Sequence, residues 1–186
     1  AAPKATLQDV QLAARVLPQP FGWRAEIQNL QIKTSRGVWP RVQGVVSQGV
    51  ASAGGGAEWS ANFNFLRLDD LAPWLELADA DVQKLRGLSG DVRALDAAYS
   101  ATLPDAMPHY RLRAGFENLA LPATSDASGL SGLNGELTLD ANGGRVRLKD
   151  AATTLKLPSV FATPLAFVTL NEAFRWNGET ESWIVR

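Results

Sequence analysis

The stretch GELTLDANGGRVRLKD, residues 135–150, alternates with a period of two on both sides of a turn. Leu137 and Leu139 alternate with Glu136, Thr138 and Asp140. Val146 and Leu148 then alternate with Arg145, Arg147 and Lys149. Period two is the mark of a half-buried strand, because successive side chains point to opposite faces. Between the two runs lies Asn142-Gly143, a dipeptide that tolerates the positive φ angles of a hairpin turn. The segment therefore reads as a β-hairpin. One face is aliphatic, and the other sets acids against bases, as cross-strand pairs prefer. A further strand, TTLKL (153–157), adds Leu155 and Leu157.

Working outward, the same alternation predicts strands over 5–16, 22–33, 41–49, 57–66, 97–103, 109–118, 164–169, 172–177 and 181–186. Turn chemistry separates them in PQPFG, SRG, AGGG, LPDAMP and NGET. No long helical pattern intervenes, so the fold class is mainly β, an antiparallel meander rather than βαβ units. One helix stands out in DDLAPWLELADADVQKL (69–85). Asp69 or Asp70 suits its cap and Pro73 its first turn, with Leu71, Trp74 and Leu75 on one side. Short helical turns are expected at Asp81 to Leu85 and at LPSVF (157–161).

Three hexapeptides break the alternation in the same way: LQDVQL (7–12), IQNLQI (27–32) and FENLAL (116–121). In each, an apolar residue is followed by the next one three positions on. Such a step is either one extra residue in a strand, a β-bulge, or the end of one strand and the start of another. Asp and Asn tolerate the unusual torsions of a bulge, and bulges bend and twist a sheet. GLSGDVRAL (87–95) and GLSGLNGEL (129–137) form a second weak repeat, with a strand after GLSG.

Composition removes several function classes. The net charge of -1 over 186 residues argues against a nucleic-acid surface, which needs a basic excess. Cysteine is absent, which excludes disulfides and thiolate metal sites, and a single histidine, His109, leaves no basis for a histidine metal site or triad. AGGGAEW (53–59) lacks the Lys-Ser/Thr of a phosphate loop, and no GxSxG elbow surrounds Ser89, Ser128 or Ser131. The acids at Asp69, Asp70 and 79–81 read as capping and solvated groups rather than a calcium site. Arg111, Arg113, Arg145 and Arg147 read as a solvated outer face, with headgroup or partner contact as the other use. The strand tryptophans Trp23, Trp59, Trp176 and Trp183 read as packing, with a sugar platform as the alternative. The residues thus point to no enzyme, no cofactor and no metal.

The meander raises a problem of coverage. A sheet with one apolar face must hide that face, and a single helix is too small to do so. Either a second sheet covers it, making a closed sandwich, or the face is an open hydrophobic groove whose cover is a ligand. An uncharged groove of Leu, Val, Ile, Phe and Ala suits acyl chains. Its expected lining is Leu137, Leu139, Val146, Leu148, Leu155 and Leu157. No run of about 18 apolar residues occurs, so no helical span is expected. The chain opens on AAPKATLQ without Met and stops in ESWIVR, which reads as mid-strand. Residues 1–186 are therefore expected to be a single segment of a longer protein.

RLDDLAPWLEL (67–77), LRGLSGDVRALDAAYS (85–100) and the stretch from Tyr110 to Arg186 resemble the YhdP branch of the AsmA-like family, bacterial bridge-like lipid transfer proteins. The order carries the resemblance: apolar helix, strand, FENLAL corner, GLSGLNGEL, glycine-rich hairpin, LPSVFATPL and a strand ending in FRW. It covers residues 60–186, with 1–59 as preceding strands. The resemblance implies a long curled antiparallel β-sheet with one or two short helices. It further implies a periplasmic, non-enzymatic conduit for phospholipid between inner and outer membrane of Gram-negative bacteria. Membrane attachment would then come through the parent chain alone. The alternative is a closed β-sandwich binding or adhesion module.

Overall fold

The structure, a computed structural model, describes residues 6–50, 56–75, 87–101, 109–123, 128–149, 152–157, 161, 163–169, 171–177 and 182–185. Thirteen strands and one helix follow in order: β1 (Leu7–Gln19), β2 (Gly22–Thr34), β3 (Gly37–Val38), β4 (Val42–Val50), β5 (Ala57–Arg67), α1 (Leu68–Leu75), β6 (Ser89–Ser100), β7 (His109–Leu121), β8 (Gly129–Asp140), β9 (Gly143–Leu148), β10 (Thr153–Lys156), β11 (Leu165–Phe167), β12 (Ala173–Asn177) and β13 (Ser182–Val185).

All strands join one antiparallel sheet, in the order β1-β2-β4-β5-β6-β7-β8-β9-β12-β13. The short β3 pairs with β2, and β10 bridges β8 to β11. The order is almost that of the sequence, as expected of strands joined by short turns. The sheet is open: β1 and β13 do not meet. The closed sandwich does not form. Only Trp39, Val42, Phe65, Phe116 and Leu148 are buried apolar side chains among the described residues, far fewer than two packed sheets would hide. The chain exposes 12388 Å². A compact globular protein of its 20.0 kDa exposes about 8,700 Å².

The three hexapeptides are bulges, not strand breaks. The ladders shift register between Leu7 and Asp9, between Ile27 and Leu30, and between Phe116 and Leu119. Each step of three keeps successive apolar residues on the same face, since the extra residue absorbs the change of parity. Asn118 sits in the last of them with φ 52°, in the left-handed region that Asn adopts more readily than most residues. Its N–H is not orphaned; it donates to Asn134 Oδ1 at 2.7 Å.

Several expectations need correction. Strand β6 begins at Ser89, not 97, so the GLSG motifs at 87–90 and 129–132 run into strands rather than preceding them. The turn of the 135–150 hairpin is Ala141-Asn142, with Asp140 opposite Gly143. Asp140 Oδ1 accepts the Asn142 N–H at 2.8 Å, and Gly143 takes the positive φ of 148° just after the turn. Asp69 and Asp70 lie inside the first turn of α1 and bind other elements instead of capping it. The turn expected at Asp81 to Leu85 lies outside the described residues, as does the side chain of Trp74. Of the expected turn at 157–161, the Phe161 N–H donates to the Leu157 carbonyl at 2.8 Å, while 158–160 lie outside the described residues.

Candidate functional site

Residues directly opposite each other in an antiparallel ladder share a face, so the register fixes what each side of the sheet displays. One row starts at Val16 and passes through Ala25, Val46, Ala61 and Ala97. It continues through Leu112, Leu139 and Gly144 to Trp176. Nine strands contribute, and no residue in the row is charged. Beside it run Ala14, Ile27, Gly44, Phe63 and Leu95 on the β1–β6 half, and Ala114, Leu137, Val146 and Phe174 on the β7–β12 half. This is the inner face.

The opposite face is polar. A salt bridge there links Arg111 to Asp96 at 3.2 Å. Lys149 pairs with Glu136, diagonal to the expected cross-strand partner Arg147. That hydrogen bond, with the nearby charge of Lys149, holds the Glu136 carboxyl below the usual carboxylate range.

One end of the inner face is filled. Trp39 and Phe65 pack edge to face at 5.6 Å, with Val42 beneath and Leu30, Ile32, Phe63 and Leu71 around them. The Arg93 guanidinium lies 4.8 Å from the Phe65 ring centre, a cation–π contact. Helix α1 is fastened there by polar bonds. Asp70 Oδ2 accepts the Trp39 indole N–H at 2.7 Å, and Asp69 takes Arg36 at 2.9 Å and the Gly90 N–H at 2.9 Å.

The other end is rimmed by aromatics. Trp23, Gln48, Trp59, Tyr99 and Tyr110 form a row across β2 and β4 to β7. Trp23 and Trp59 meet edge to face at 5.9 Å, and Trp59, Tyr99 and Tyr110 stay more than 40% exposed. Between plug and rim the floor is built from small residues, notably Ala25, Gly44, Ala61, Ala97 and Ala114.

The six expected lining residues sit as follows. Leu137 faces Val146, Leu139 faces Gly144, and Leu148 faces Gly135, so four of them share one hairpin face. Leu155 reaches that side through Leu130, its partner on β8, which the Gly132 bulge (φ 80°) keeps in phase with Leu133. Leu157 is half-buried just past the end of β10. The reading missed the β2–β7 half of the face and its aromatic rim. The signal was present: VRALDA (92–97) and LSGLNG (130–135) carry the same three-residue step, and both are register shifts.

A family model described as YhdP protein matches residues 1–186, the entire chain. The chain belongs to the YhdP family. No curated protein and no solved structure matches it. The open antiparallel sheet is the fold of this member, and membership suggests a role related to lipid transport.

Proposed function

We propose that this YhdP-family chain is a segment of a periplasmic, non-enzymatic groove that shields phospholipid acyl chains between inner and outer membrane. The observation that carries the reading is the uncharged inner row from Val16 to Trp176, left without a protein cover over most of its length. Ten strands spaced about 4.8 Å apart span roughly 43 Å. A phospholipid chain, reaching about half of a 30 Å hydrocarbon core, fits across several strands with room for a second molecule. Each methylene kept from water contributes about 0.8 kcal/mol, so two sixteen-carbon chains represent on the order of 25 kcal/mol. An apolar trough lowers that barrier without binding any one methylene tightly, as a conduit requires. The remainder of a longer parent chain would supply continuity and the membrane attachment.

The test is native mass spectrometry with lipid extraction on the chain purified from a Gram-negative host. A photoactivatable acyl probe should label residues 137–148 and be displaced by phospholipid. A lipid-free chain that the probe labels nowhere on the inner face would overturn the proposal. Leu139→Asp should abolish capture while circular dichroism still reports strands.

A further inference from the structure

The outer face carries an arrangement that the groove does not use. Arg145 on β9 and Arg175 on β12 stand directly opposite each other. Like charges at that position destabilise a ladder. Among the described residues neither is relieved by a salt bridge, although Arg24, Arg36, Arg67, Arg93, Arg111 and Lys149 all have one. Arg113 continues the row two strands away, with Thr138 between it and Arg145. Of the carboxylates nearby, Glu136 feels the charge of Arg145 but accepts its hydrogen bond from Lys149, and Asp140 accepts the Asn142 N–H.

A concavity of about 590 Å³ opens at this point, lined by Thr138, Asp140, Asn142, Arg145, Arg175 and Asn177, with Trp176, Gly143 and Gly144 completing it. Its walls therefore offer two guanidinium forks, a hydroxyl and two side-chain amides. Guanidinium groups bind phosphate oxygens in bidentate fashion, and hydroxyl and amide donors supply the remaining hydrogen bonds. The volume lies in the range of small-ligand sites. A negative ligand would also remove the Arg145–Arg175 repulsion, which gives the pairing a reason.

We propose that Arg145 and Arg175 form an anion site for a phosphate group on the face opposite the groove. The phosphate is either a free one or the headgroup of an anionic phospholipid at a membrane surface. It is not that of a lipid lying in the groove, because the sheet separates the two faces. The Asp140 carboxylate at the rim accepts a hydrogen bond from a hydroxyl next to the phosphate, as a glycerol headgroup would offer.

The experiment uses the full 186-residue chain. Inorganic phosphate is titrated while the arginine side-chain N–H resonances and the melting temperature are followed. Saturating shifts at Arg145 and Arg175 with a rise in melting temperature are expected. Arg145→Gln and Arg175→Gln should each weaken binding about tenfold or more, and Lys33→Gln should leave it unchanged. Arg175→Gln should also melt higher than the parent chain in phosphate-free buffer and gain nothing from added phosphate. Sedimentation with phosphatidylcholine vesicles, with and without phosphatidylglycerol, separates the sources. Vesicle binding that needs both arginines identifies a headgroup, and phosphate binding without it identifies a free anion. The proposal is overturned if neither probe binds, or if the two Gln variants respond as the parent chain does.

Discussion

The indole N–H of Trp39 donates to Asp70 Oδ2 at 2.7 Å, tying the segment after β3 to helix α1 over the filled end of the inner face. Among the described residues the second oxygen of that carboxylate, Oδ1, is buried without a hydrogen-bond partner. Hydrogen bonds to charged groups contribute about 1.5–3 kcal/mol. Asp70→Ala should therefore cost about 2 kcal/mol in urea unfolding, and Asp70→Asn less, since the amide oxygen still accepts. An Asp70→Ala chain as stable as the parent would show that the Trp39 bond does not anchor the helix.

The Asn118 bulge gives a backbone test. At φ 52° a β-branched side chain is strained, whereas glycine is free. Asn118→Val should cost about 1–2 kcal/mol, and Asn118→Gly should stay within about 0.5 kcal/mol. Thermal denaturation of the pair reads the difference. Equal costs would mean that the left-handed conformation is not what Asn supplies.

Ala97 lies in the middle of the uncharged row, between Ala61 and Leu112. Ala97→Phe places a large apolar group on the groove floor without burying a charge. It should reduce capture of an acyl probe several-fold while leaving the β-sheet dichroism intact. Undiminished labelling would place the lipid path elsewhere on the sheet.

The Lys149 hydrogen bond lowers the Glu136 carboxyl. A lowered folded-state value gives stability that is present above the unfolded-state value and is lost as pH falls through the folded one. Glu136→Gln should thus melt below the parent chain near neutral pH. The gap should close in acid once both forms are neutral there, and shrink with salt. A gap that persists below the carboxylate range would assign the effect to packing instead.

Much of this was legible in the residues because period two and bulge spacing are local signals. Leu137, Leu139, Val146 and Leu148 declared their face through alternation alone. LQDVQL, IQNLQI and FENLAL left bulge and strand end undecided, because only a partner strand shows whether the ladder continues past the step. The filled end was not legible: Trp39, Val42 and Phe65 come from separate segments, and nothing in each segment says that they meet. The use of Asp69 and Asp70 was hidden for the same reason. A cap is a local guess, and bonds to Trp39, Arg36 and Gly90 are long-range facts. Arg175 was likewise not singled out by its own segment; only the register sets it opposite Arg145.

The strands of this sheet make their main contacts with ladder neighbours, and α1 adds a local brace at the filled end, against β6, Arg36 and Trp39. Stability in such a chain accumulates by nearest-neighbour terms, as it does in repeat arrays. Unfolding then has no reason to be all-or-none. The described ends at β1 and β13 should open first and the strands around the plug, β2, β4 and β5, last, so that amide exchange rates vary along the strand order. A molecule built this way can be lengthened or shortened by whole strands away from the plug without redesign of a core, because among the described residues the buried cluster is small and local.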